Sequence, residues 1–531
     1  MGTVANSETT TRRFIMINMK SLKTVAVAAV LCMGAACVDL DVTNPNEPER
    51  SRALANAGDV ESLISGQFRT YWNLAQGSGD GDGAPGAAMD ALAEAESSNS
   101  ANDGTQDQGD LPPKAIPNEV GYRWGTWVRN PWLLQNRGLA AIREGLLAIQ
   151  ELDLQIQEGE RLQAFAKFMQ GLYHGAIALQ YDQGFVIDET VADVGALSLL
   201  PYDQVMDAAL GYLTQARSIA ESSTFTLPDG WLGPGTHSSD DLVRLTHSYQ
   251  ARFLAQVARD PAERAAVNWT QVLGHVSDGI TEDFGVELDG PGGIWGSPYK
   301  GRSSPNSSAH LAFLGPADQS GAYITWENTD FRDRQPFEID TDDQRVTDGT
   351  PQGPGTLAVW RPFFINQPER GTYYLSNYSL NWYFDIGDTG FGFAPEVSVQ
   401  EMNFLAAEAH IRLGSAAAAL PIINDSRAAA GLPAASVDGV AGARCVPRAI
   451  GPLRKASGLT EGECGDLMTA LIWEKRMAVF ALTAGSIYYD ARGFGVLRTG
   501  KAIHVPIPME DLQLLGIPMY SFGGGGTGSA P

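Results

Sequence analysis

Within residues 281–398, flat side chains stand next to polar ones: Trp295 and Tyr299 near Arg302 and Asn306, Trp326 with Asn328, Trp360 with Arg361. An aromatic face offers apolar area for stacking, and an amide or guanidinium beside it offers directed hydrogen bonds. That combination suits reversible binding. Asn99 and Asn102, in a second irregular stretch, are placed to close such a site from an opposite rim. Bond-breaking sets are harder to find. No HExxH zinc motif occurs, and no GxSxG lies between a strand and a helix. GGGGTG, Gly523 to Gly528, fits GxGxxG only in a tail with no helix after it. His410 and His504 stand alone. With 62 Asp and Glu residues, some pair reaches glycosidase separation by chance, so abundance alone names no hydrolase. DGDG at Asp80 to Gly83 fails the EF-hand spacing, since Ala84 sits where a third ligand belongs. The sequence therefore assigns no catalytic residue, cofactor or metal site.

The four cysteines point to export. Lys20 and Lys23 precede an apolar run, Thr24 to Met33, and Gly34, Ala35 and Ala36 come after it, ahead of Cys37. A basic lead, a short apolar core and small residues describe a secretory signal. The run is far short of the roughly 20 residues of a membrane-spanning helix. Cys37 directly after the small residues resembles the lipid-modified cysteine of bacterial lipoproteins, although Gly34 stands where their motif usually has Leu. The VDLD after it looks like the surface-export signal of lipoproteins in Bacteroidetes-like bacteria. The expected mature chain begins at Cys37, lipid-anchored in an outer membrane and facing the exterior. Cys445 and Cys464 then remain, and in an oxidising compartment they are expected to be joined, the alternative being two free thiols. Residues 1–36 hold four basic residues and one acidic, which leaves 33 basic and 61 acidic and a formal charge of −28. A surface this acidic disfavours nucleic acid and anionic lipid heads.

Helical periodicity dominates the rest of the chain. Val60, Ile64, Phe68 and Tyr71 share a face, with Asp59 as expected N-cap. Residues 77–120 have no period and read as a solvated loop. Leu139, Ile142, Leu146 and Ile149 resume the rhythm. The series Leu162 to Leu179, Tyr202 to Ile219 and Leu242 to Phe253 continue it, and Asp260–Pro261 supplies a cap and an N1 proline for another helix. Helices return at Val399, and Trp473, Met477, Phe480 and Ala484 read as one last long helix. Successive amphipathic helices with short joins and small residues at crossings point to stacked helix hairpins.

Three segments of the C-terminal third carry recognisable text: AEAHIRLGSAAAALPIINDSRAAAGLP (Ala407 to Pro433), LIWEKRMAVFALTAGSIYYDARGFGVLRTG (Leu471 to Gly500) and HVPIPMEDL (His504 to Leu512). In that order they resemble the SusD/RagB family of outer-membrane nutrient-binding lipoproteins. WLLQNRGLAAI (Trp132 to Ile142) and AFAKFMQGLYHGAIALQYDQG (Ala164 to Gly184) extend the resemblance over nearly the whole mature chain. Pro421 departs from the family pattern and implies a kink or a later helix start, and Ser486 to Tyr489 depart from it ahead of a retained Asp490. Glu408 with Arg412 reads as an i, i+4 pair on one helix, and Glu474 and Arg476 as charges that knit helices together, all of them scaffold.

The resemblance implies a mainly α fold, a SusD-like scaffold of degenerate tetratricopeptide-like helix hairpins, with long irregular insertions forming the ligand face. It implies an oligosaccharide or peptide as ligand, and as partner a SusC-like TonB-dependent β-barrel transporter that the lipoprotein covers as a lid. The expected organisation is a signal peptide at 1–36, a lipidated linker at 37–56, and a helical scaffold at 57–280 with the insertion 77–120. The ligand-binding region 281–398, a C-terminal helical region 399–520 and a Gly-rich tail 521–531 complete it. On this reading Trp295, Tyr299, Trp326, Asn328, Trp360, Arg361, Asn99 and Asn102 form the site. Trp326→Ala or Trp360→Ala would then weaken binding about tenfold with stability nearly unchanged. A surface-anchored glycoside hydrolase and a helical-repeat interaction scaffold are the alternatives of other classes.

Overall fold

The first helix begins one turn earlier than the sequence implies. Asn56, and not Asp59, is its N-cap, and its Oδ1 accepts the Asp59 N–H at 3.0 Å. The structure is a computed structural model that describes residues 54, 56–77, 85–98, 104–109, 112–151, 158–291, 293–299, 308–362 and 375–524. Cys37, Asn99, Asn102, Arg302 and Asn306 lie outside the described residues. Residues Leu54–Pro531 form one unit.

The N-terminal helices are α1 (Ala57–Ser65), α2 (Gln67–Gln76), α3 (Pro85–Leu92), α4 (Thr105–Gly109), α5 (Thr126–Glu151), α6 (Gly159–Gln180), α7 (Tyr202–Ser222), α8 (Ser239–Gln256), α9 (Pro261–Ala266) and α10 (Trp269–Ser277). The later ones are α11 (Leu311–Leu314), α12 (Ala322–Asn328), α13 (Phe384–Thr389), α14 (Val399–Arg412), α15 (Ala416–Ala429), α16 (Gly451–Ser457), α17 (Leu467–Val479), α18 (Ser486–Phe494) and α19 (Met509–Leu514). Strands occur as antiparallel pairs: β1 (Glu96–Ser97) with β7 (Ser308–Ala309), β2 (Gln183–Gly184) with β3 (Leu200–Pro201), and β4 (Thr226–Leu227) with β5 (His237–Ser238). Two more pairs are β8 (Ala358–Trp360) with β9 (Tyr378–Leu380), and the longest, β6 (Phe284–Asp289) with β10 (Phe391–Val397). No helix among the described residues is long and apolar enough to cross a membrane.

The periodic faces lie inward. Val60, Ile64 and Phe68 are fully buried, as are Leu139, Ile142, Leu172 and Val205. Small residues let the long helices touch: a Cβ added at Gly175 of α6 would lie 2.1 Å from the Phe253 ring of α8. Asp260 caps α9 as its position implies, its Oδ1 accepting from Ala262 and Glu263 at 2.8 and 2.9 Å. Pro421 sits inside α15.

Two further elements differ from their sequence reading. The stretch 77–120 contains α3, whose residues are all buried, so part of it belongs to the core and is no solvated loop. Its Ala-rich sequence shows no amphipathic period because protein surrounds it on every side. The expected long helix through Ala484 ends at Val479. Ala481 takes a positive φ of 53°, which turns the chain before α18 begins at Ser486.

Buried charges tie the helices across long sequence separations. Arg264 donates to both Glu408 oxygens at 2.9 and 2.6 Å and to Asp490 at 3.1 Å, and Lys475 pairs with Asp490 at 2.7 Å. Glu474 receives Arg345 at 2.7 Å, Arg427 at 3.2 Å and the Ser426 hydroxyl at 2.7 Å. Glu474 thus knits helices as the sequence implies, and Glu408 makes its i, i+4 pair with Arg412 at 2.8 Å besides the cross-helix bond to Arg264. Arg476 does not: its guanidinium lies over the Phe313 ring, 4.2 Å from the centroid. Cys445 and Cys464 are bonded to each other, with Cα atoms 5.8 Å apart and 19 residues between them in sequence. Closing such a loop contributes about 3 kcal/mol in the chain-entropy model.

Candidate functional site

A stacking platform needs a ring face open to solvent, and three of the sequence-assigned rings have none. Trp295 packs on Phe68 and Trp72, with centroids 6.3 and 6.5 Å apart. Tyr299 lies against Gly86 and donates its hydroxyl to Asp90 Oδ2 at 3.0 Å. Trp326 is 3 % exposed, beside Tyr323 on one side and under the Arg334 guanidinium at 4.1 Å on the other. These rings are core: helices distant in sequence cover them, and local composition cannot report that. Asn328 is exposed, but its amide donates to Ile324 O and Glu461 at 3.0 and 3.3 Å and ends α12. Trp360 is half-buried on β8, paired with Tyr378 of β9, and the half-buried Arg361 is next in the chain.

The open rings are elsewhere in the same segment. In the β6–β10 ribbon, successive side chains alternate between two faces. Val286 and Leu288 of β6 and Ala394 of β10 point inward and are buried. Outward point Glu287, Asp289, Phe391 and Phe393, with Phe391 60 % and Phe393 37 % exposed. The register sets Phe391 opposite Asp289 and Phe393 opposite Glu287, so each ring has a carboxylate as cross-strand neighbour. Gly290 takes a φ of 104°, and a Cβ there would lie 2.8 Å from the Phe391 ring, so glycine leaves room for the ring at the ribbon end. Ile294, 57 % exposed, lies in the turn beyond it.

Asp289 holds that turn, accepting the Ile294 and Trp295 N–H groups at 2.9 Å each. Glu287 makes no hydrogen bond or ion pair among the described residues. Tyr383, half-buried between β9 and α13, has its hydroxyl pushed up to about 12 by burial and by the Asp283 carboxylate. The ribbon face thus combines two open phenyl rings, one uncommitted carboxylate and an exposed aliphatic side chain. Its sequence signal was the period-2 alternation of FGVELD and FGF, which a search for helical period passes over.

His504 is half-buried against Tyr202 and Phe522, and desolvation, with the Arg259 charge, pushes its imidazole down to about 3. It is a neutral packing ring. No cluster of three His, Cys, Asp or Glu suited to a metal occurs among the described residues. Two clefts open elsewhere: one of about 580 Å³ beside α17 and α18, and one of about 550 Å³ among α2, α6 and α8.

No protein-family model matches the sequence, and no curated protein is similar to it. Solved structures are. A SusD superfamily protein from Bacteroides vulgatus aligns at a TM-score of 0.55 and 12% identity, over 86% of this chain and 97% of that one. Another from Parabacteroides distasonis aligns at 0.51 and 11% identity, over 86% and 97%. A SusD homolog from Bacteroides thetaiotaomicron aligns at 0.50 and 12% identity, over 86% and 92%. The mainly helical chain, with its short strand pairs and its large shared span, has the SusD-like fold.

Proposed function

We propose that this protein captures an oligosaccharide at the cell surface, held to the outer membrane by lipid on Cys37, and passes it to a SusC-like TonB-dependent β-barrel transporter. The observation that carries the binding role is the outward face of the β6–β10 ribbon. Phe391 and Phe393 offer flat apolar area to sugar C–H surfaces, and Glu287 offers an acceptor for hydroxyls. Trp360 with Arg361 is a second contact, and Asn99 and Asn102 complete the proposal from outside the described residues. A hydrolase needs two carboxylates free to act on one bond. On this face Asp289 is occupied by the turn, which favours binding without cleavage.

The test is a titration of the mature chain against a panel of oligosaccharides. The double variant Phe391→Ala/Phe393→Ala should bind its best ligand about thirtyfold more weakly, since each stacked ring contributes ~1 kcal/mol. Its melting temperature should be nearly unchanged, because surface truncations rarely exceed ~0.5 kcal/mol. Undiminished affinity in the double variant would remove the ribbon from the site. The anchor is tested separately: Cys37→Ala should release the protein from the outer-membrane fraction, and full retention there would refute the lipid attachment.

A further inference from the structure

The cleft of about 580 Å³ beside α17 and α18 has mostly aliphatic and aromatic walls, among them Ile450, Leu453, Ile472, Ile487, Phe494 and Val496. Its polar groups are committed, with one exception. Glu94 is bonded to Arg498 at 2.7 and 3.0 Å, Lys475 pairs with Asp490 at 2.7 Å, and the Tyr323 hydroxyl donates to Glu327 at 3.3 Å. Arg476 lines the same cleft, half-buried, with no hydrogen bond or ion pair among the described residues. Its contacts are ring faces: Phe313 at 4.2 Å and Trp473 at 5.9 Å. Burial pushes the guanidinium down to about 10, against the opposing pull of Tyr323 and Glu94.

A half-buried guanidinium with no hydrogen bond or ion pair is open to a charged partner from outside, and in a chain with a formal charge of −25 an unpaired one in a cleft is unexpected. Its planar fork of donors matches a carboxylate. The contact with the Phe313 ring holds the guanidinium at the cleft wall.

We infer that this cleft binds a small carboxylate with an apolar body, the carboxylate pairing with Arg476 and the body packing against Ile450, Leu453 and Phe494. The inference does not rest on the oligosaccharide reading, and it concerns a different part of the molecule from the ribbon. An aliphatic acid and an apolar acyl amino acid share this chemistry, so the test carries an arm for each.

The full mature chain is titrated calorimetrically with octanoate, with N-acetyl-leucine, and with octanamide, which keeps the octanoyl body and lacks the charge. At least one acid should bind, and octanamide should bind at least about tenfold more weakly than octanoate if octanoate is that acid, since a charge-assisted pair is lost. Tighter binding of one acid identifies its class of body. Arg476→Met should reduce the bound acid's affinity by a similar factor, and Arg476→Lys should restore part of it. The same variants should leave oligosaccharide affinity unchanged. Failure of both acids to bind at millimolar concentration would overturn the inference. So would acid and amide binding equally, or an Arg476→Met protein that binds the acid as the wild type does. The acid–amide comparison is made on the unaltered chain and stands even if Arg476→Met fails to fold.

Discussion

Trp326→Ala is expected to cost about 3–5 kcal/mol of folding stability, the usual range for emptying a buried tryptophan site. The ring is 3 % exposed and packs in a local cluster with Leu311, Ala312, Tyr323, Leu375 and Ile450. Its truncation leaves a cavity there and removes the face over which Arg334 sits at 4.1 Å. Arg334 and Arg498 share Glu327, at 3.2 and 2.6 Å, so loosening one arginine disturbs the network that also holds Glu94. Denaturant unfolding measures the loss, and the folded fraction should bind oligosaccharide with unaltered affinity. A variant of wild-type stability with tenfold weaker binding would restore Trp326 to the ligand face.

Arg264→Met is expected to destabilise the protein by about 3 kcal/mol at neutral pH, because it removes the two-point partner of the buried Glu408, leaving only Arg412 on one oxygen, and leaves Asp490 with Lys475 alone. Arg264 and Glu408 are fully buried, and Asp490 is nearly so. Burial alone would raise the Glu408 carboxyl, but the Arg264 charge outweighs it and holds the group below its ordinary 4.5. The native contribution of Glu408 is therefore present above pH 4.5 and is lost as pH falls through its lowered value. Without Arg264, burial favours the protonated acid. The variant's deficit should accordingly shrink as pH is lowered from 7 toward 4. Parallel unfolding series on both proteins check this, and a deficit that is small at pH 7 or grows on acidification would show that Arg264 does not hold the site.

The helical scaffold was legible because its signals are local. Leu139, Ile142 and Leu146 repeat on one face within three turns, and Asp260–Pro261 carries its own capping chemistry. The charges of the WEKR and AEAH segments were readable as scaffold from helical spacing and the pairing of charged helix faces, yet the place of Arg476 was not. Its neighbours Glu474 and Lys475 find partners, and only the tertiary arrangement shows that Arg476 meets a ring. The same limit explains the ligand face. Tyr299 is buried by α3 and bonded to Asp90, 209 residues earlier in the chain, so nothing beside it in sequence distinguishes core from platform. Phe391 and Phe393 alternate visibly, but the strand that orients them lies about a hundred residues away.

The central claim is that the outward face of the β6–β10 ribbon meets the ligand. Hydrogen–deuterium exchange of the mature protein, with and without its tightest-binding oligosaccharide, tests it without a choice of mutation. Peptides spanning Phe284–Asp289 and Phe391–Val397, with the turn through Ile294, should gain protection on binding. Protection confined to other segments, with the ribbon unchanged, would contradict the account.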